Sequence, residues 1–128
     1  MSMTREDYII LGFDLSPYRE QIYTDEWRTD DNIDKWECCQ TKDNIQLFTD
    51  PMSGAHLYFG YILSAYDEFD KPEVTKIGLR DEEIKHMEKM WEKVLDALNE
   101  TQLISESMME IIAKDNVPFE VICFTEYR

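Results

Sequence analysis

Leu57-Tyr58-Phe59-Gly60-Tyr61-Ile62-Leu63-Ser64-Ala65 is the most apolar run in the chain, and it constrains the fold more than any other stretch. Read as a strand, it carries Leu57, Phe59, Tyr61 and Leu63 on one face and Tyr58, Ile62 and Ser64 on the other. A strand apolar on both faces belongs in the middle of a sheet that is covered on both sides or lies against a partner. Before it come Ile45, Leu47 and Phe48, then Asp50-Pro51-Met52-Ser53-Gly54. Pro51 pre-sets φ for a turn and Gly54 accepts positive φ, so Asn44–Tyr66 reads as two strands joined by a tight turn.

The rest of the chain supplies partners for that hairpin. Tyr8–Leu15 is a nearly continuous β-rich run and should be another interior strand. It stops at Ser16-Pro17, an N-cap followed by a first helical residue, so a short helix is expected there with Tyr18 and Ile22 on one face. From Thr24 to Gln40, Thr29 and Thr24 each suit the cap of one or two helical turns with acidic first positions, and Trp27, Ile33 and Trp36 are the apolar anchors. Tyr66–Glu73 is polar, acidic and broken by Pro72, an exposed loop. Asp81, Glu82 and Glu83 then open a long helix whose stripe, Ile84, Met87, Trp91, Val94, Leu95 and Leu98, packs on the sheet. Thr101 is expected to cap a second helix through Ile104, Met108, Ile111 and Ile112, joined to the first by a kink, before Phe119–Tyr127 closes the chain as a strand.

The predicted class is a single α+β domain spanning residues 1–128, a sheet of about four strands with helices packed on it. The element order matches the β-α-β-β-α-β arrangement of ferredoxin-like folds. A less regular layering, with helices on one face of an antiparallel sheet, is the alternative, because Ser16–Gln40 is fragmented.

Catalytic signatures are missing. Only His56 and His86 could serve as imidazole bases, and both occupy positions where a surface or boundary histidine is ordinary. Cys38, Cys39 and Cys123 are an odd set with an adjacent pair, which argues against a disulfide framework, and their spacing matches no zinc motif. Gly12, Gly54, Gly60 and Gly78 are isolated, so there is neither a phosphate-cradling loop nor a dinucleotide fingerprint. The expectation is a non-enzymatic protein with no metal and no cofactor. The amino-terminal acidic residues before a short apolar run are the reverse of a signal peptide, and with the cysteine usage they point to the cytoplasm; Asn99-Glu100-Thr101 is then a chance sequon.

What remains is acidity. The formal net charge of the 128 residues is −15, against the magnitude of about 2–8 that solubility asks of a small domain. Residues 1–40 hold four basic and ten acidic side chains, 41–79 three and six, and 80–128 six and twelve, so the charge belongs to the whole chain and not to a tail. Direct nucleic-acid binding and anionic membranes are disfavoured, and a basic protein partner is favoured. Regularly spaced carboxylates on a folded surface can imitate the phosphate rows of a duplex and occupy a basic groove. The candidate contact regions combine carboxylates with an aromatic anchor: Asp25, Glu26, Asp30, Asp31 and Asp34 around Trp27, and Asp67, Glu68 and Asp70 around Phe69. The plainer reading of the first is a solvated helix face with core tryptophans.

In size, acidity and α+β pattern, spread over its whole length and carried by no motif, the chain resembles the small phage-encoded inhibitors of bacterial defence, such as anti-CRISPR and anti-restriction proteins. Members of that viral group imitate DNA, block an enzyme or bind a signalling nucleotide. The resemblance implies a non-catalytic inhibitor of a host nucleic-acid-binding defence protein, acting in the host cytosol. The alternatives are a small-ligand or nucleotide-binding protein, and a structural subunit that forms a homo-oligomer through its long helix or terminal strand.

Overall fold

The apolar run at Leu57 does become an interior strand, and the sheet is built outward from it. The structure, a computed structural model, describes residues 5–37, 44–49, 56–67, 80–114 and 117–127. Four strands, β1 (Arg5–Asp14), β2 (Ile45–Thr49), β3 (Leu57–Asp67) and β4 (Phe119–Tyr127), form one antiparallel sheet in the order β2-β3-β1-β4. β1 and β2 are each antiparallel to β3 and so run parallel with β3 between them; β3 and β4 stand in the same relation to β1. Two interleaved split β-α-β units of this kind are the β-α-β-β-α-β arrangement. The first connection holds a 3-10 turn, Ser16–Tyr18, running into α1 (Arg19–Ile22) and then α2 (Asp30–Trp36); the second holds α3 (Asp81–Thr101) and α4 (Glu106–Ala113).

One face of the sheet meets the helices. Phe13, Leu15, Ile45, Leu47, Leu57 and Phe59 pack there with Ile22, Trp27 and Trp36 from the first connection and Val94, Leu98, Leu103, Ile104 and Ile112 from the second. Each large side chain fully buried in such a cluster contributes about 1.5–3 kcal/mol. A second cluster, Tyr8, Ile10 and Phe48 with Tyr58, Ile62, Ile122 and Phe124, is made of strand residues on the opposite face. Cross-strand alternation explains the division, since Phe13 pairs with Phe59 and Phe119 while Ile10 pairs with Ile62 and Ile122. Both interior strands are therefore apolar on both sides.

Gly12 of β1 and Gly60 of β3 are directly paired. A Cβ on Gly12 would lie 2.2 Å from the carbonyl oxygen of Phe59 and 2.5 Å from the Cα of Gly60. The two glycines are the condition for that pairing.

Several expectations are corrected. Alternation along β3 does not run unbroken to Ser64: the pairing passes from Ile10–Ile62 to Ile9–Ser64, so Leu63 is an extra residue and Ser64 shares the face of Ile9. Ser16 is not an N-cap but the first residue of the 3-10 turn; the carboxylate of Asp14 accepts from its backbone N–H at 2.9 Å, and its hydroxyl accepts from the N–H of Leu57 at 2.9 Å. Thr101 does not cap the second helix. It is the buried last residue of α3, with its hydroxyl donating to Leu98 O at 2.5 Å and accepting from Leu103 N at 3.1 Å. Ser105 is the cap of α4, and the helices are separated by Gln102 in the left-handed region, φ 56°, so they are not one kinked rod. His56 is not ordinarily exposed: its ring stacks on Tyr58 with centroids 4.6 Å apart and an interplanar angle of 6°. The turn at Asp50–Gly54 lies outside the described residues, as do Cys38 and Cys39; Cys123 is a free, exposed thiol.

Candidate acidic interface

The segment from Thr24 to Glu37 is anchored from inside and charged outside. Thr24 closes a single helical turn, its carbonyl accepting from Arg28 N at 3.0 Å and its hydroxyl from Trp27 N at 3.3 Å. Thr29, extended at φ −78° and ψ 159°, caps α2 by accepting from Asn32 N at 3.3 Å, and Asp30 and Asp31 occupy the first turn, where the helix dipole favours carboxylates. Asn32 turns back and donates to Trp27 O at 2.7 Å, tying the two pieces together.

Trp27 holds this segment to the rest of the protein. Its indole is 7% exposed and donates through Nε1 to the carbonyl of Thr101 at 2.8 Å, at the end of α3. Trp27 is thus a core tryptophan under a solvated face, as the plainer reading expects, and is not itself exposed to a partner, because an indole that finds both apolar neighbours and a backbone acceptor stays in the core. The ring beside it that does reach the surface is Tyr23, tilted against Trp27 with centroids 5.8 Å apart, with the guanidinium groups of Arg19 and Arg28 at 5.3 and 5.2 Å from its centre.

Tyr23 also donates to Glu37 Oε1 at 2.8 Å, and Thr49 of β2 donates to the same oxygen at 3.3 Å. Burial, and then the bond to Glu37 with that carboxylate's charge, push the Tyr23 hydroxyl up to about 12. The backbone carbonyl of Glu37 accepts from the buried Gln46 side chain at 3.0 Å, which satisfies the one amide inside β2. The segment is thus fixed to α3 through Trp27 and to β2 through Glu37.

On this frame Asp25, Glu26, Asp30, Asp31 and Asp34 are all exposed. Asp25 pairs with Arg28, and Asp30 and Asp34 share a helix face four residues apart, a like-charge pair that an isolated helix would not choose. Behind the row lies a mainly polar cavity of about 610 Å³ between this segment and the α3–α4 connection, where Gln21, Glu26, Asn32 and Gln102 meet the edge of Trp27. Of the second candidate region only Asp67 is described, and it is not brought to the same place. Asp67 ends β3, whereas the first connection leaves the sheet beside Leu57, ten residues earlier and about 33 Å away along the strand. Glu68, Phe69 and Asp70 lie outside the described residues. Register does set Glu6 between Asp67 and Glu126 across three strands, a row the sequence alone does not reveal.

Among the described residues no three His, Cys, Asp or Glu side chains are grouped to hold a metal ion, and no helix is long and apolar enough to cross a membrane. His86 is exposed on α3. No family model, curated protein or solved structure matches the chain.

Proposed function

We propose that this protein is a non-catalytic binding protein that occupies the basic surface of a nucleic-acid-binding protein through its α1–α2 face, imitating the charge of a nucleic acid. The observation that carries the reading is the row of five exposed carboxylates, Asp25, Glu26, Asp30, Asp31 and Asp34, on a segment pinned at Trp27 and Glu37, in a chain of net charge −15. Holding like charges together on a fixed frame costs stability, and a partner whose own charge is positive recovers it on binding. A host defence protein is the partner that the chain's resemblance to phage inhibitors favours.

The test is capture of bacterial lysate proteins on the immobilised chain, with elution by a salt gradient and by duplex DNA, alongside a variant with all five carboxylates changed to Lys. The expected result is retention of nucleic-acid-binding proteins that duplex DNA displaces, that salt weakens steeply, and that the variant fails to hold. Retention indifferent to salt and to the reversals, with the partner's nucleic-acid binding intact, overturns the reading.

A further inference from the structure

Among the described residues α3 packs on β3 and β1, and the β4 strip of the same face, packed on the core at Phe119, is exposed beyond it. Val121, paired with the buried Leu11, is 42% exposed, and Cys123, two residues on along the same face, is exposed as well. Across the gap stands Ile84, 40% exposed, on the first turn of α3. Beside Ile84 runs an apolar groove of about 440 Å³ lined by Ile84, Leu11, Met87, Trp91 and Phe119, with Glu88 and Glu92 of α3 also lining it.

The groove lies beside a sheet edge. β4 is nine residues long, and among the described residues its one ladder partner is β1, so every second residue presents its N–H and C=O away from the sheet. Long edge strands are usually blunted by proline, lysine, a bulge or an inward-pointing charge; Phe119–Tyr127 has no proline, lysine or bulge, its pairing with β1 is unbroken, and its inward-pointing charge, Glu126, lies at the end away from Phe119.

We propose that the β4 edge takes up an extended segment of a partner protein as an additional strand, with apolar side chains of the segment in the groove and basic ones against Glu88, Glu92 and Glu120. Strand addition supplies affinity through main-chain hydrogen bonds and selectivity through the side chains that fall in the groove. Charge selects the occupant. Two β4 edges paired with each other would bring together two chains of −15, whereas a basic segment meets Glu88 and Glu92 on one side of its backbone and the exposed Glu120 on the other. The inference does not rest on the α1–α2 face and stands or falls separately from it.

The probe is a blocked heptapeptide with isoleucine at its third and fifth positions, lysine at its first, fourth and seventh and threonine elsewhere, so that as a strand it presents lysines beside the isoleucines on the groove face and one lysine on the Glu120 face; it is added to the whole chain while amide exchange and backbone shifts are followed. Binding should protect every second amide of residues 119–127 and shift Ile84 and Met87. The same peptide N-methylated on alternate amides keeps its charge and loses its ladder, and should bind about tenfold or more weakly. The chain carrying Glu88→Lys and Glu92→Lys, both exposed positions, should weaken the unmethylated peptide by a similar factor and leave the fold intact. Failure of the unmethylated peptide to bind, equal binding of the two peptides, perturbation that spares β4, or a self-associated chain whose β4 amides are already protected each overturn the proposal.

Discussion

Gly12 shows what one residue decides here. Its missing Cβ lets β1 lie against β3, and a methyl placed there would meet backbone atoms at 2.2 and 2.5 Å, which cannot move aside as a flexible side chain would. Gly12→Ala should therefore lower the unfolding free energy by about 2–3 kcal/mol or more, read from the urea midpoint, because the central pair must separate to admit it. Tyr23 decides something different, the behaviour at alkaline pH. Its hydroxyl ionises near its ordinary value of 10.0 in the unfolded chain and near 12 in the folded one, so its contribution is complete below pH 10 and is lost as the pH rises to 12. Tyr23→Phe should cost about 1–2 kcal/mol at neutral pH by removing a bond to a carboxylate, and the difference between the two proteins should shrink through that window. A difference that stays constant from pH 9 to 12 would refute the assignment.

At the scale of elements, the sequence was legible where periodicity and length agree. The stripe from Ile84 to Leu98 lies inside α3, the run from Leu57 lies in β3, and Phe119–Tyr127 has the bounds read from its sequence pattern. Single capping residues were less legible, because Thr101 and Ser105 are both good caps by type and only tertiary contacts choose between them: burial at Leu98 and Leu103 draws Thr101 into the end of α3. Trp27 is legible as an apolar anchor but its partner is not, since the carbonyl of Thr101 that holds the indole is 74 residues away in sequence. The capping differences have measurable consequences. Arg80 sits at the N-cap of α3 with φ −70° and ψ 159° and supplies no side-chain acceptor, with a cation at the positive end of the helix. Arg80→Asp should raise stability by about 1 kcal/mol, whereas Ser105→Ala, which removes the acceptor for Met108 N, should lower it by about the same amount. Thermal melts of the two variants check both signs.

For the whole molecule, solubility and partner binding make opposite demands on the same charge, and one variant separates them. If the net charge of −15 served only to keep the chain in solution, its removal at one exposed site would matter to nothing else. Asp34 is exposed and lies four residues after Asp30 on α2, a helix of seven residues, with Asp30 and Asp31 in its first turn and Glu37 at its C-cap. Asp34→Lys changes the formal charge from −15 to −13, relieves the repulsion from Asp30 and creates an acid-to-lysine pair in the favourable order. The folded state should gain about 0.3–0.5 kcal/mol, and the gain should fade as salt is raised and the Debye length drops from about 10 Å at 0.1 M to about 3 Å at 1 M. Under the proposed function the same change slows association with the basic partner at low salt, since a carboxylate of the steering row has become a cation. A variant that is more stable and binds its partner as fast as before at every salt concentration would mean that the carboxylates of the α1–α2 face serve solubility alone.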